Sequence, residues 1–389
     1  MRIVVILALL VGTARAEEPK AELIEHAHGL LVVGACAEGT PPPRIKPAII
    51  AAHCKQVRRA HDAYRKNWLA VARPFFAANV PASVPKRVVY PFAGGDLATA
   101  LAVYPDADEI TTLSLEPAGD PRALGRLSEK QLKAALATVA TELTTLYRAN
   151  YSVTMNMIAA MRGGQLPTQL IFSLSALWLH DYEPVALRYF RLTPDGDVRY
   201  LTTADFEALD RVKDTGKRNR ELSNVELRFR KRGSSREQVY RHIRANLDDA
   251  HLAADPAALR HLVKKGKVAG LTKAASYLLT FDAFQTMRQY VIDHVEWMVS
   301  DSTGLPPKYG TPAGFEYETW GSFESSNMPV GKAVTPAWRA VYAAQPERPL
   351  GFRFGYPDGK HRGHLIIMRK AGGIGAPPRA TPAAAPRAK

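Results

Sequence analysis

The chain has 389 residues, 46% hydrophobic and 23% charged, with a formal net charge of +15. That is the composition of a soluble globular protein, long enough for one large domain or two ordinary ones, and it excludes a wholly low-complexity or membrane-embedded chain. The positive balance fits weak affinity for lipid headgroups, acidic polysaccharide or nucleic acid, or an arginine-rich composition that serves no partner.

The start has the layout of a secretory signal peptide over residues 1–16. Arg2 is the positive start, Ile3 to Val11 the apolar run, and Ala14-Arg15-Ala16 a small-x-small cleavage site. The mature chain is expected to begin at Glu17 and to be secreted or periplasmic. The apolar run is shorter than the roughly 20 residues that span a bilayer, and no later segment is long and apolar enough to do so. In an oxidising compartment Cys36 and Cys54 are expected to pair, the alternative being two free thiols. Closing their loop would contribute about 3 kcal/mol. Two cysteines beside His53 do not make a zinc site, and no metal is expected.

Residues 17–85 read as a helical N-terminal extension. From Pro47 to about Ala78, Ile50, Cys54, Val57, His61, Tyr64, Trp68 and Val71 recur at spacings of three and four, placing them on one helix face. Pro74 is expected to kink or end this helix. Residues 86–210 read as an α/β region. "RVVY" suits a buried strand, "PFAGGD" a glycine turn, "LATALAVY" a short helix and "EITTLSLE" the next strand. This places Glu116 by the crevice where doubly wound sheets bind ligands. Ser128 and Gln131 fit a capping box opening another helix. Leu170 to Leu179 fits a buried strand or a helix. "ALRYFRLTPDGDVRYL" reads as a hairpin turning at Pro194-Asp195-Gly196. Asp205 to Arg220 reads as a loop or short helix.

Residues 211–370 read as an α+β region packed on the first. "NVELRFRKRG" alternates as a strand, with Arg228, Arg230 and Arg232 on one face. A helix is expected from Ser235, with Val239, Ile243 and Leu247 inward. A longer one is expected within Lys273 to Ser300, stopped by Gly304 and Pro306. Two strands around Pro357-Asp358-Gly359 close the fold, and residues 371–389 read as a disordered Ala/Pro/Gly tail. The expected class is α/β, with a Rossmann-like central sheet unit, a helical extension before it and an α+β half after it.

"YPFAGGDLATALAVYPDADEITTLSLEPAG" resembles motifs I and II of class I S-adenosylmethionine-dependent methyltransferases. The resemblance matches Gly94 and Gly95 to the glycine turn and Glu116 to the ribose ligand. Tyr90 stands where that family usually has an acid. Asp96 takes the third glycine's place, where as an N-cap it would bond the helix's free N–H groups itself. The chain from about Lys86 to Lys370 also resembles a family of uncharacterised secreted bacterial proteins. The carriers are Tyr90–Asp96, Tyr104-Pro105, Leu115–Gly119, Ala275–Leu279, Ser300–Pro306 and Leu350–Tyr356. Ser300 stands where that family's loop has its first acid.

The expected site is the crevice beside Tyr90, Gly94, Gly95, Asp96, Glu116 and Asp301. It would serve a non-catalytic envelope protein that binds a ligand or partner, such as an anionic envelope component. Alternatively, Glu116, Asp96 and Asp301 would serve an enzyme whose reaction and cofactor the sequence does not name. Arg228, Arg230 and Arg232 form the expected anion patch, or a charged edge strand. Nucleic acid is disfavoured because aromatic interleaving is absent. His180-Asp181 reads as a general base with its carboxylate, or as a histidine at a strand end. His26 with His28, and His361 with His364, read as surface pairs. There is neither a G-x-S-x-G elbow nor an H-E-x-x-H helix.

Overall fold

The computed structural model describes residues 22–149, 165–325, 331–355 and 363–373. The expected signal peptide over residues 1–16, the expected turn at Pro357-Asp358-Gly359 and the chain from residue 374 onward lie outside them. The fold is mixed α/β. Its strands are β1 (Arg87–Tyr90), β2 (Glu109–Ser114), β3 (Tyr182–Leu192), β4 (Val198–Tyr200), β5 (Asn224–Lys231), β6 (Glu237–Arg244), β7 (Val268–Thr272), β8 (Val295–Ser300), β9 (Phe315–Gly321) and β10 (His364–Lys370). They form one ten-stranded sheet in the order β4-β3-β5-β6-β2-β1-β7-β8-β10-β9.

Strands β6, β2, β1, β7 and β8 are mutually parallel. Strand β10 is antiparallel to both β8 and β9, so β9 runs with the parallel set. Taken along the chain, β6-β2-β1-β7-β8-β9 is the third-second-first-fourth-fifth-sixth order of a doubly wound sheet, with β10 inserted. Strands β5, β3 and β4 extend it antiparallel beyond β6. The strands after residue 211 thus flank β1 and β2 in one sheet rather than packing on them as a separate region.

Both faces are covered, which is why the central strands are apolar on both sides. Val88, Ile110, Trp297 and Leu365 face one core with the N-terminal helices. Val89, Leu113, Met298 and Ile366 face the other, with later helices around Leu262, Tyr290 and Trp338. The first layer holds α1 (Ile24–Val33), α2 (Pro47–Tyr64), α3 (Ala70–Asn79), α4 (Leu97–Val103), α5 (Glu129–Ala149) and α6 (Thr168–Leu179). A π-helical turn over Arg65–Leu69 joins α2 to α3, and Pro74 sits inside α3 without ending it. Cys36 and Cys54 are bonded, with Cα atoms 5.3 Å apart, tying the loop after α1 to α2. Among the described residues no helix is long and apolar enough to cross a membrane.

The capping box at Ser128 and Gln131 is present, and β3 and β4 form the expected hairpin. Leu170 to Leu179 adopts the helical alternative as α6, and short helices cover Thr203–Asp210 and Thr215–Glu221. Three expectations fail. The helix from Ser235 is strand β6, because the spacing of Val239 and Ile243 also fits one face of a strand, here paired between β5 and β2. The long helix within Lys273 to Ser300 divides into 3-10 turns, a helix over Gln285–His294, and β8. Val295 to Val299 is an apolar run whose type periodicity alone does not decide. Leu350 to Gly355, expected within the first of the two closing strands, is not a strand. Phe352 and Phe354 instead pack as irregular chain on Phe76.

Candidate functional site

The carboxyl ends of β1 and β7 meet where the crossover direction reverses. Just beyond them Phe92 (φ 57°) and Ala274 (φ 55°) both adopt the left-handed conformation. Such strain in residues with a Cβ persists only where surroundings over-determine it. Asp96 caps α4, accepting from the Thr99 N–H at 3.2 Å and the Thr99 hydroxyl at 2.8 Å. Its other oxygen accepts from the Tyr90 hydroxyl at 3.2 Å and lies 2.5 Å from Lys273 Nζ. Lys273 is 1% exposed. Its ammonium also donates to Thr99 Oγ1 at 2.9 Å and lies 5.6 Å from the Phe354 ring centre. Burial, then the Asp96 and Asp301 charges, push the Tyr90 hydroxyl far above its usual range, so it stays a donor.

Asp301 follows β8. It accepts from the Thr303 N–H at 2.9 Å and hydroxyl at 2.5 Å, and from the Ala274 N–H at 3.4 Å. Gly355 backs onto it, and a Cβ there would lie 2.4 Å from Asp301 Oδ2. His364 Nε2 accepts from the Ser302 N–H at 3.0 Å and lies 2.7 Å from the Ser302 hydroxyl. Tyr90–Asp96, Lys273 beside Ala275–Leu279, Ser300–Pro306 and Phe354-Gly355 therefore converge in space. The structure gathers Asp96 and Asp301 around Tyr90 and Lys273.

Glu116 belongs to the β2–β6 side. It is buried, and its carbonyl accepts from His242 Nε2 at 2.7 Å. Gln169 at the start of α6 lies 3.3 Å from His242 Nδ1 and donates to the Gly94 carbonyl at 3.0 Å. Gly94 has φ +55°, as its turn requires. Gly95 is needed for another reason: a Cβ there would lie 2.2 Å from Phe172 Cδ2 of α6. The space beside Gly95 is thus taken by the protein's own phenyl ring.

The sequence-predicted arginine patch is engaged. Arg228 lies 3.1 Å from Glu237, Arg230 lies 2.7 Å from Glu183, and the Arg232 guanidinium stacks 4.1 Å from the Trp178 ring centre. Strand β5 is interior, between β3 and β6, not an edge. His180 is buried, whereas Asp181 is exposed and 3.7 Å from Arg73, so the two do not act as a pair. His361 lies outside the described residues. Among the described residues only Cys36, His53 and Cys54 bring three metal-ligand types within 4.8 Å. The sulfurs are bonded to each other, and the His53 nitrogens lie 2.8 and 2.9 Å from the Gly34 and Leu136 carbonyls.

No protein-family model matches the chain, and no curated protein matches it.

A groove of about 790 Å³ runs between α2 and α5. Its floor is Tyr64, Trp68 and Tyr147; the Tyr64 ring stacks on Trp68 at 5.0 Å and meets Tyr147 at 4.9 Å. Its rim carries Lys55, Arg59, Arg148 and Arg353, all exposed. Among the described residues the buried Tyr64 hydroxyl has no hydrogen-bond partner. Burial, then the Asp96 charge, raises it well above its usual range, so it stays protonated. Sequence reasoning placed Tyr64 and Trp68 on the inner face of a helix but overlooked Lys55 and Arg59 four residues apart on the outer one.

The buried histidines give the fold an acid limit. Burial lowers His242 to about 4, and His61 and His180 to about 3. An unfolded histidine titrates near 6.5, so between about pH 6.5 and pH 4 the unfolded chain binds more protons and stability falls as pH falls. His242 alone should account for about 2 kcal/mol between pH 7 and pH 5. Urea midpoints at the two pH values check this, and His242→Gln should flatten the slope.

Proposed function

We propose that the chain is an exported, non-catalytic binding protein that holds an acidic polysaccharide of the cell envelope in the α2–α5 groove. The observation that carries this reading is the groove's four-cation rim around an aromatic floor. Among the described residues Lys55, Arg59 and Arg148 have no carboxylate partner, which suits sugar carboxylates, while the rings suit sugar faces. The acids at the sheet's edge are already committed: Asp96 to Lys273 and its helix cap, Asp301 to the Thr303 turn. The signal-peptide layout and the disulfide support export. The positive net charge supports an anionic partner.

The test is alginate binding by the mature chain. Lys55→Glu with Arg59→Glu should weaken it at least tenfold and reduce the salt slope, whereas Arg228→Glu with Arg230→Glu should change it little. Retention of full affinity by the groove variant would remove the proposal.

One observation favours a second reading, an enzyme at the acidic crevice. The Ser302 hydroxyl lies 2.7 Å from His364 Nε2, next to Asp301. Labelling of Ser302 by a fluorophosphonate, lost in His364→Gln, would support it. The doubly wound order adds fold-level support to a third reading, an S-adenosylmethionine-binding, methyltransferase-like protein. The Phe172 ring against Gly95 counts against that one.

A further inference from the structure

A second cavity, of about 470 Å³, lies at the opposite end of the sheet, between α3, α4 and the starts of β1 and β3. Its size is within the roughly 300–1,000 Å³ usual for small-molecule sites. Its walls are the apolar side chains of Phe76, Val80, Val84 and Leu101. Arg73, Lys86 and Lys231 stand at its mouth, all exposed. The acid lining it, Asp106, lies 3.7 Å from Arg236, and Arg73 makes only a 3.7 Å contact with exposed Asp181. Lys86 and Lys231 have no carboxylate partner among the described residues. The mouth is therefore net positive.

His180 also lines the cavity and is 3% exposed. Burial, then the nearby Arg73 and Arg65 charges, keeps its ring neutral at pH 7, so it adds no charge to the cavity. The other polar side chains of the cavity are occupied: the Tyr182 hydroxyl donates to the Pro105 carbonyl at 3.0 Å and the Tyr104 hydroxyl to the Gly270 carbonyl.

We propose that this cavity binds a small amphiphilic carboxylate, its head at the Arg73, Lys86 and Lys231 mouth and its apolar body against Phe76, Val80 and Leu101. A guanidinium fork matches a carboxylate bidentately, and the two lysines add positive charge beside it. The apolar walls account for the body. The site is independent of the groove between α2 and α5.

Calorimetric titration of the mature protein with decanoate, and with decanol as the uncharged control, tests this. Ala77 is exposed at the cavity's edge, so Ala77→Trp should block entry without disturbing the core. Saturable decanoate binding is expected, lost in Ala77→Trp and weakened at least tenfold in Arg73→Glu. Lys55→Glu with Arg59→Glu should leave decanoate binding unchanged, which separates this site from the groove. Absence of saturable binding up to about 1 mM, or binding unaffected by Ala77→Trp, overturns the site. Equal decanol binding with no effect of Arg73→Glu overturns the carboxylate assignment.

Discussion

Replacing Lys273 by methionine should destabilise the protein by about 3–5 kcal/mol, the cost of leaving a buried charge without its partner. Asp96 and Lys273 are both nearly inaccessible, and Asp96 lies 2.5 Å from the ammonium. Methionine keeps most of the volume but removes the charge and the bond to Thr99 Oγ1. Asp96 would still cap α4, yet its second oxygen would face the Phe354 side of the site with only Tyr90 to satisfy it. The double variant Asp96→Asn with Lys273→Met should recover much of the loss, because replacing both charges removes the desolvation penalty along with the attraction. Urea unfolding of Lys273→Met, Asp96→Asn and the double variant measures this. A double-variant loss equal to the sum of the two single losses would show that the pair is not coupled.

Truncating Phe172 to alanine should cost about 3–5 kcal/mol, the range for removing a buried phenyl ring. Its ring is 1% exposed and fills the space beside Gly95. Gly95→Ala in the parent should cost about 1–3 kcal/mol through overpacking, since its Cβ would meet the ring at 2.2 Å. In the Phe172→Ala background the same change should cost less, because the cavity accepts the methyl group. A glycine kept for a ligand's approach would instead show no coupling to Phe172 in stability.

Much of the fold was legible along the chain. The strand–turn–helix–strand unit over residues 87–114, the Asp96 cap, the capping box at Ser128 and the disulfide follow from local rules that need no distant partner. The site was only partly legible. Tyr90, Asp96 and Asp301 do come together, but Lys273 and His364 carried no local signal. The sequence pattern puts Lys273 at the start of a long helix and His364 in a surface pair, and only sheet pairing brings them inward. The arginines of β5 were visible as an alternating face, but their charge partners Glu183 and Glu237 sit on neighbouring strands.

By itself the sequence determined the α/β class, the glycine turn at Gly94 and most of the apolar residues that are buried, because backbone sterics and apolar transfer act locally. Only the tertiary structure decided that residues 237–244 and 295–300 are strands, since Val239 and Ile243, four apart, fit a strand face as well as a helix face, and the short run from Val295 to Val299 fits either period. It also decided that Phe172, rather than a ligand, lies against the glycine turn. That depends on how closely α6 approaches Gly95, a distance set by packing between segments far apart in the chain.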